Sequence, residues 1–168
     1  MTSQLDTPRL TLRQFQESDL DAYASMCANP EVMRFIGAGE PLSRKEAWRE
    51  LAFFLGHWRL RGYGMWALEH STSGQLIGRA GFINPEGWPG FELGWLLDRD
   101  YWGEGYATEA ARAALQHAFD DLEREHVISL IYPENSRSIR VAERLGQTLE
   151  RETELYGNRV DIYAINRP

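Results

Sequence analysis

The apolar positions of this chain fall into runs whose period changes from one element to the next. Leu10, Leu12 and Phe15, following Pro8, form a first strand over about residues 9–15. Leu20, Tyr23, Ala24 and Cys27 recur at helical spacing behind Glu17-Ser18-Asp19, and Asn29-Pro30 closes that helix. Ser43, with Glu46 three residues on, has the form of a capping box. It opens a second helix with apolar positions Ala47, Trp48, Leu51, Leu55 and Trp58, closed by Gly62 and Gly64. Met65 to Glu69 and Leu76 to Ile83 flank the turn residues Ser71-Thr72-Ser73-Gly74, a hairpin. Asn84 to Gly90 is a loop, and Phe91 to Leu97 a further strand. From Ala107 through Ala110, Ala111, Ala114, Leu115, Ala118 and Phe119 to Leu122 the spacing is helical, with small residues that allow close packing on a sheet. Val127 to Tyr132 reads as a buried strand, and a helix runs from Pro133-Glu134-Asn135-Ser136 to Leu145-Gly146. Glu150 to Tyr156 and Arg159 to Ile165 flank Gly157-Asn158, a second hairpin. The order βααβββαβαββ predicts an α/β (α+β) fold, with a mixed central sheet of about seven strands and four helices. With no linker, repeat or low-complexity stretch, residues 1–168 form one domain.

Composition narrows the function classes. The net charge of −7 argues against nucleic acid as a partner and is compatible with a cationic or amine substrate. Six Trp point to large apolar pockets or grooves as well as core. The single cysteine, Cys27, excludes an intrachain disulfide and sits in a helical pattern as a small buried hydrophobe. The four His show no metal-ligand spacing, so no metal is expected. Met1 to Leu10 is polar, and no apolar stretch is long enough to span a membrane. The expectation is a cytoplasmic protein with no membrane partner.

The segment from Glu92 to Ala110 is the most informative. A strand leads through Trp102-Gly103-Glu104-Gly105-Tyr106-Ala107-Thr108 into the strongest helix. Glycines let a turn bring its N–H groups close to a ligand, and a helix N-terminus adds unpaired N–H groups and partial positive charge. Such a turn suits a pyrophosphate. It matches neither the dinucleotide fingerprint nor a P-loop.

This segment resembles the acetyl-CoA-binding signature of the GNAT acetyltransferases, Arg/Gln-x-x-Gly-x-Gly/Ala. Gly105 and Ala107 match it, and Trp102 stands where Arg or Gln is common. The likeness extends to Thr7-Pro8-Arg9-Leu10-Thr11-Leu12-Arg13, Gly74-Gln75-Leu76-Ile77-Gly78 with Gly81-Phe82, Glu92-Leu93-Gly94-Trp95, Asn135 with Ser138, and Glu143-Arg144-Leu145-Gly146. That set is similar to the RimJ/RimL-like branch. The resemblance implies the GNAT fold, with strands 91–97 and 127–132 splayed apart to admit the pantetheine arm. It implies an acetyl-CoA-dependent N-acetyltransferase that acts by direct attack in a ternary complex. The acceptor is a primary amine: a peptide N-terminus, an amino acid or another small molecule. A non-catalytic acyl-CoA sensor on the same fold is the alternative, and a homodimer is among the partner readings.

The resemblance implies cofactor contacts along Trp95, Leu96 and Leu97, with a backbone N–H near Leu96 polarising the thioester. It implies further contacts along Trp102, Gly103, Glu104, Gly105, Tyr106, Ala107 and Thr108, and at Asn135 and Ser138. Glu92 is the first candidate base: a carboxylate on an otherwise apolar strand has a raised pKa and can take an amine's proton. It is equally a solvated position on a sheet face. Glu154 is the second candidate, among the charged positions of its strand. Ser138 is a candidate donor to the leaving thiolate, or a helix-start serine bonding its own backbone. Tyr132 and Tyr156 are further candidate acids. The substrate pocket is expected from the Ala28 to Gly39 loop, the Asn84 to Gly90 loop and the last hairpin, with Arg34, Phe35, Trp66, Trp88 and Tyr156 as lining.

Overall fold

The computed structural model describes residues 4–168. One sheet of eight strands organises them: β1 (Leu5–Asp6), β2 (Leu10–Arg13), β3 (Met65–His70), β4 (Leu76–Ile83), β5 (Glu92–Leu97), β6 (His126–Ile131), β7 (Thr148–Leu155) and β8 (Asn158–Asn166). The strand order is β1-β2-β3-β4-β5-β6-β8-β7. Pairing is antiparallel throughout except between β5 and β6. Five α-helices complete the fold: α1 (Leu20–Cys27), α2 (Pro30–Met33), α3 (Arg44–Arg61), α4 (Tyr106–Asp120) and α5 (Ser136–Arg144).

Alternation along the strands divides the apolar residues between two cores. Leu10, Leu12, Trp66, Leu68, Leu93 and Leu97 meet Ala110, Ala111, Ala114 and Ala118 of α4 and Val141 of α5. Met65, Ala67 and Leu96 turn the other way, onto α1 and α3 through Tyr23, Cys27, Ala47, Leu51 and Phe54. The alanines of α4 let that helix lie close on the sheet. The Ser43 capping box forms: Ser43 N–H donates to Glu46 Oε2 at 2.7 Å, and Glu46 N–H donates to Ser43 Oγ at 3.2 Å.

The fold is the expected one, with three differences. Leu5–Asp6 adds a short edge strand, too brief to show alternation. Asn29-Pro30 does not simply end a helix. Asn29 accepts the Glu31 N–H, and Pro30, whose lack of an N–H costs nothing at a first helical position, begins the single turn of α2. The last hairpin turns at Tyr156-Gly157, with φ of 53 and 75, rather than at Gly157-Asn158. A two-residue turn of this kind needs two left-handed residues, and here Gly157 takes the second place.

Candidate active site

The glycine turn is built as its sequence requires. Gly103 and Gly105 have φ of 82 and 83, the left-handed region that glycine alone enters without strain. Gly105 is the N-cap of α4 and offers no side chain to the first N–H groups of the helix. A Cβ at Gly103 would meet nothing within 4 Å, and one at Gly105 only Arg9 Nη2 at 3.6 Å, so the turn faces open space. Arg9 braces it from behind. Its guanidinium donates to Glu104 O at 3.0 Å, pairs with Glu109 at 2.6 Å and lies 4.1 Å from the Tyr106 ring. Sequence reasoning gave Arg9 no role; its only signal was a place in the opening Thr7 to Arg13 stretch.

From this turn a groove of about 570 Å³ runs between β5 and α5, reaching Phe35 and Ile36 beyond α2. Strands β5 and β6 are paired at one point, Glu92 with Ile128, and then part. At the fork the Ile128 N–H donates to Phe91 O at 3.0 Å, and the Ser129 hydroxyl donates to Leu93 O at 2.7 Å. Backbone groups alternate sides along a strand. Those of Phe91 and Leu93 face β6, so those of Trp95 and Leu97 face into the gap. The N–H of Leu96 itself is turned to β4, so an oxyanion donor near Leu96 would come from Trp95 or Leu97. Leu96 is paired with Arg79, and its carbonyl lies against Gly78 on β4. Both Leu96 and Trp95 line the groove.

Across the gap, Asn135 and Ser138 form a small network. Asn135 Oδ1 accepts the Ser138 N–H at 3.3 Å, the capping role. The Ser138 hydroxyl oxygen accepts from Asn135 Nδ2 at 3.0 Å and from Trp95 Nε1 at 3.2 Å. A serine has two lone pairs and one O–H. Both lone pairs are engaged, which leaves the proton free to be donated to the groove. Trp102 is not a passive replacement for Arg or Gln. Its indole donates to Leu97 O at 3.0 Å and lies against Arg99 at 4.7 Å and Arg137 at 4.3 Å. Arg137, Arg140 and Arg144 also line the groove. Their spacing places them on one face of α5, a basic stripe that was visible in the sequence and went unread.

Glu92 lies at the root of the fork. Its side chain points to the α1–α3 face: Oε1 is 3.9 Å from the place a Gly94 Cβ would take, as is the Met65 methyl. Trp88 donates its indole N–H to Glu92 Oε2 at 2.7 Å. Burial pushes the carboxyl up to about 7, against the opposing pull of the Trp88 N–H, the Leu130 backbone and the Arg79 charge. His57 fixes the loop that carries Trp88. Its Nε2 accepts the Asn84 N–H at 3.0 Å while Nδ1 meets Tyr63 O at 2.9 Å, and burial holds its pKa below the usual range. Glu154 differs: it is exposed on β7, opposite Arg159.

The expected walls are partly assembled. Phe35 stands 6.3 Å from the Tyr132 ring, and the Tyr132 hydroxyl donates to Gly37 O at 2.7 Å. Arg34 lies over the Phe35 ring at 5.0 Å and lines the groove. Tyr156 projects from the hairpin tip, 61% exposed. Trp66 does not line a pocket. It is fully buried on the α4 side of the sheet against Trp58, Phe82 and His117, because its neighbours on β3 fix which face it takes. Cys27 is buried near Tyr23 and Arg79, and burial pushes its thiol up to about 11, which makes it a poor nucleophile. Among the described residues no group of three His, Cys, Asp or Glu is placed to hold a metal ion, and no helix is long and apolar enough to cross a membrane.

The family model of the acetyltransferase (GNAT) domain matches residues 9–148. The protein YkkB of Bacillus subtilis is 31% identical over 96% of this chain and 94% of its own length. The crystal structure of an acetyltransferase from Agrobacterium tumefaciens superposes with a TM-score of 0.87 at 32% identity, covering 99% of this chain and 95% of the other. RimL, a ribosomal L7/L12 alpha-N-protein acetyltransferase solved with coenzyme A, shares the fold at TM-score 0.79 and 22% identity, with 95% of each chain covered.

Proposed function

The chain belongs to the GNAT acetyltransferase family, and from that membership we propose that it transfers an acetyl group from acetyl-CoA to a primary amine by direct attack in a ternary complex. The observation that carries this reading is the fork between β5 and β6, which opens beside the glycine turn and has Glu92 at its root.

The residues present fit the donor. The open turn at Gly103 and Gly105, with the free N–H groups of α4, would hold the pyrophosphate. The backbone of Trp95 and Leu97 and the side chain of Asn135 would hold the pantetheine arm. When bound, acetyl-CoA supplies the acetyl group as a thioester, already activated toward an amine. Glu92, titrating near neutrality, accepts the proton of the incoming ammonium. The gap-facing N–H groups of β5 are the donors available to a developing oxyanion. The spare proton of Ser138 is available to the departing sulfur. Cys27, buried with a raised thiol pKa, supports a mechanism without an acyl-enzyme.

The test is thiol release from acetyl-CoA over a panel of amines and short peptides, run with the Gly105→Val variant. Valine at a φ of 83 adds strain and places bulk where a phosphate must approach. CoA affinity should fall at least about tenfold, roughly 1.4 kcal/mol, with far-UV circular dichroism retained. Unchanged affinity in the folded variant overturns the site assignment. Tight CoA binding by the wild type without release on any amine would leave a binding module instead of an enzyme.

A further inference from the structure

The fork opens where one backbone hydrogen bond is exchanged for two others. In a parallel pair, alternate N–H groups of one strand reach evenly spaced carbonyls of its neighbour. The Ile128 N–H of β6 donates to Phe91 O at 3.0 Å, and Glu92 is paired with Ile128. The next N–H of β6 turned toward β5 is that of Leu130, and its partner in a continued ladder is Leu93 O. The pairing stops before that bond. Leu93 O is filled all the same, by the Ser129 hydroxyl at 2.7 Å. The Leu130 backbone acts instead on the Glu92 carboxylate and favours its charged form.

Ser129 is itself aimed from behind. Gln147, between α5 and β7, donates its Nε2 to Ser129 Oγ at 3.0 Å. That bond takes a lone pair of the hydroxyl and leaves its one proton for Leu93. The Gln147 N–H donates to Ala142 O at 3.0 Å, which ties the side chain's starting point to the end of α5. Both side chains are buried, and Gln147 Oε1 has no partner among the described residues. Two apolar side chains would fill the same place without an orphaned oxygen, so packing alone does not account for this pair.

We propose that Ser129 and Gln147 are positioning residues of the fork: by filling Leu93 O they stop the β5–β6 ladder from closing by one further bond, and so keep the Leu130 N–H for Glu92. The bond after that one would consume the Trp95 N–H, which faces the gap, so the same pair guards a donor of the site. The purpose of the arrangement rests on the acetyltransferase reading, while the arrangement itself needs no substrate.

The test follows Glu92 and the Leu130 amide by NMR in the full chain without ligand. The charged group acting on Glu92 is Arg79 of β4, and its other side-chain donor is Trp88. Neither is altered by changes at 129 or 147. In wild type the Leu130 amide shift should follow the ionisation of Glu92 near pH 7. Ser129→Ala empties Leu93 O. The Leu130 N–H should then move to it, exchange more slowly and cease to follow Glu92. Glu92 loses a donor that favours its charged form, so its midpoint should rise by about half a pH unit or more, roughly threefold in proton affinity. Ser129→Thr keeps the hydroxyl and should restore wild-type behaviour. Gln147→Leu keeps the serine but not its aim, and should move Glu92 the same way by less; it replaces Ser129→Ala should that variant fail to fold. A folded variant lacking the hydroxyl or its aim, with the Glu92 midpoint and the Leu130 amide unmoved, overturns the proposal. A fall in melting temperature alone, without those changes, is what a merely structural pair would give. A Ser129→Thr variant that titrates like Ser129→Ala overturns it as well. Thiol release by the wild type tests the acetyltransferase reading separately. A shifted Glu92 midpoint without acetyl transfer to any amine defeats the enzyme and keeps the positioning pair; transfer with an unmoved midpoint does the reverse.

Discussion

Glu92 and Ser138 are each tuned by neighbours that mutation can remove. The Glu92 carboxyl is pushed up to about 7 by burial, while the Trp88 N–H pulls it down. A protonated carboxyl cannot take a proton, so kcat/KM should fall as pH drops through about 7. Glu92→Gln should lose that limb and most of kcat, with CoA affinity kept. Trp88→Phe removes the hydrogen bond that favours the charged form, so the limb should move to higher pH; pH–rate profiles of the variants check both signs. Ser138 accepts from Trp95 and Asn135 and keeps one proton to give. Ser138→Ala should lower kcat several-fold or more with little change in KM for acetyl-CoA, because the bond strengthens only as charge builds on sulfur. A raised KM at constant kcat would assign Ser138 to cofactor holding.

At the scale of elements, the sequence was most legible where periodicity and turn chemistry agree. The alanine-rich α4, the Ser43 capping box and the left-handed glycines of the turn all lie where spacing places them. Glu92 stands out in the sequence because one polar residue breaks an apolar strand. Legibility failed where a side chain's surroundings come from elsewhere in the chain. Trp66 and Trp88 look alike in sequence, yet the pleat buries Trp66 beneath α4, while the loop pinned by His57 brings Trp88 to Glu92. The alternation of backbone direction along β5 decides between Leu96 and its neighbours, and its phase is set only by the pairing of Phe91 and Leu93 with β6. Arg79 gave no signal at all: an arginine in an eight-residue strand reads as a solvated position until α1 and α3 cover it.

On the proposed reading the molecule as a whole separates two tasks on the two sides of the fork. The turn, α4 and the basic stripe of α5 offer local positive charge on a chain of net charge −7, so phosphates meet a favourable site within an acidic protein. On the proposed reading the acceptor side draws on distant segments: the loop after α2, the loop before β5, the end of β6 and the β7–β8 hairpin. Tyr132 joins two of these directly, donating to Gly37 O at 2.7 Å with its ring tilted against Phe35, and burial holds its phenol above the usual range, so the donor stays protonated. Tyr132→Phe keeps the ring and deletes the bond. If that bond holds the loop in place as an acceptor wall, KM for the amine should rise several-fold while CoA affinity, set on the other side of the fork, stays within about twofold. Steady-state kinetics with each substrate varied in turn would show it. A matched loss of CoA affinity would mean that the loop serves the donor groove, and a large fall in kcat at constant KM would give the Tyr132 hydroxyl a part in the proton transfers themselves.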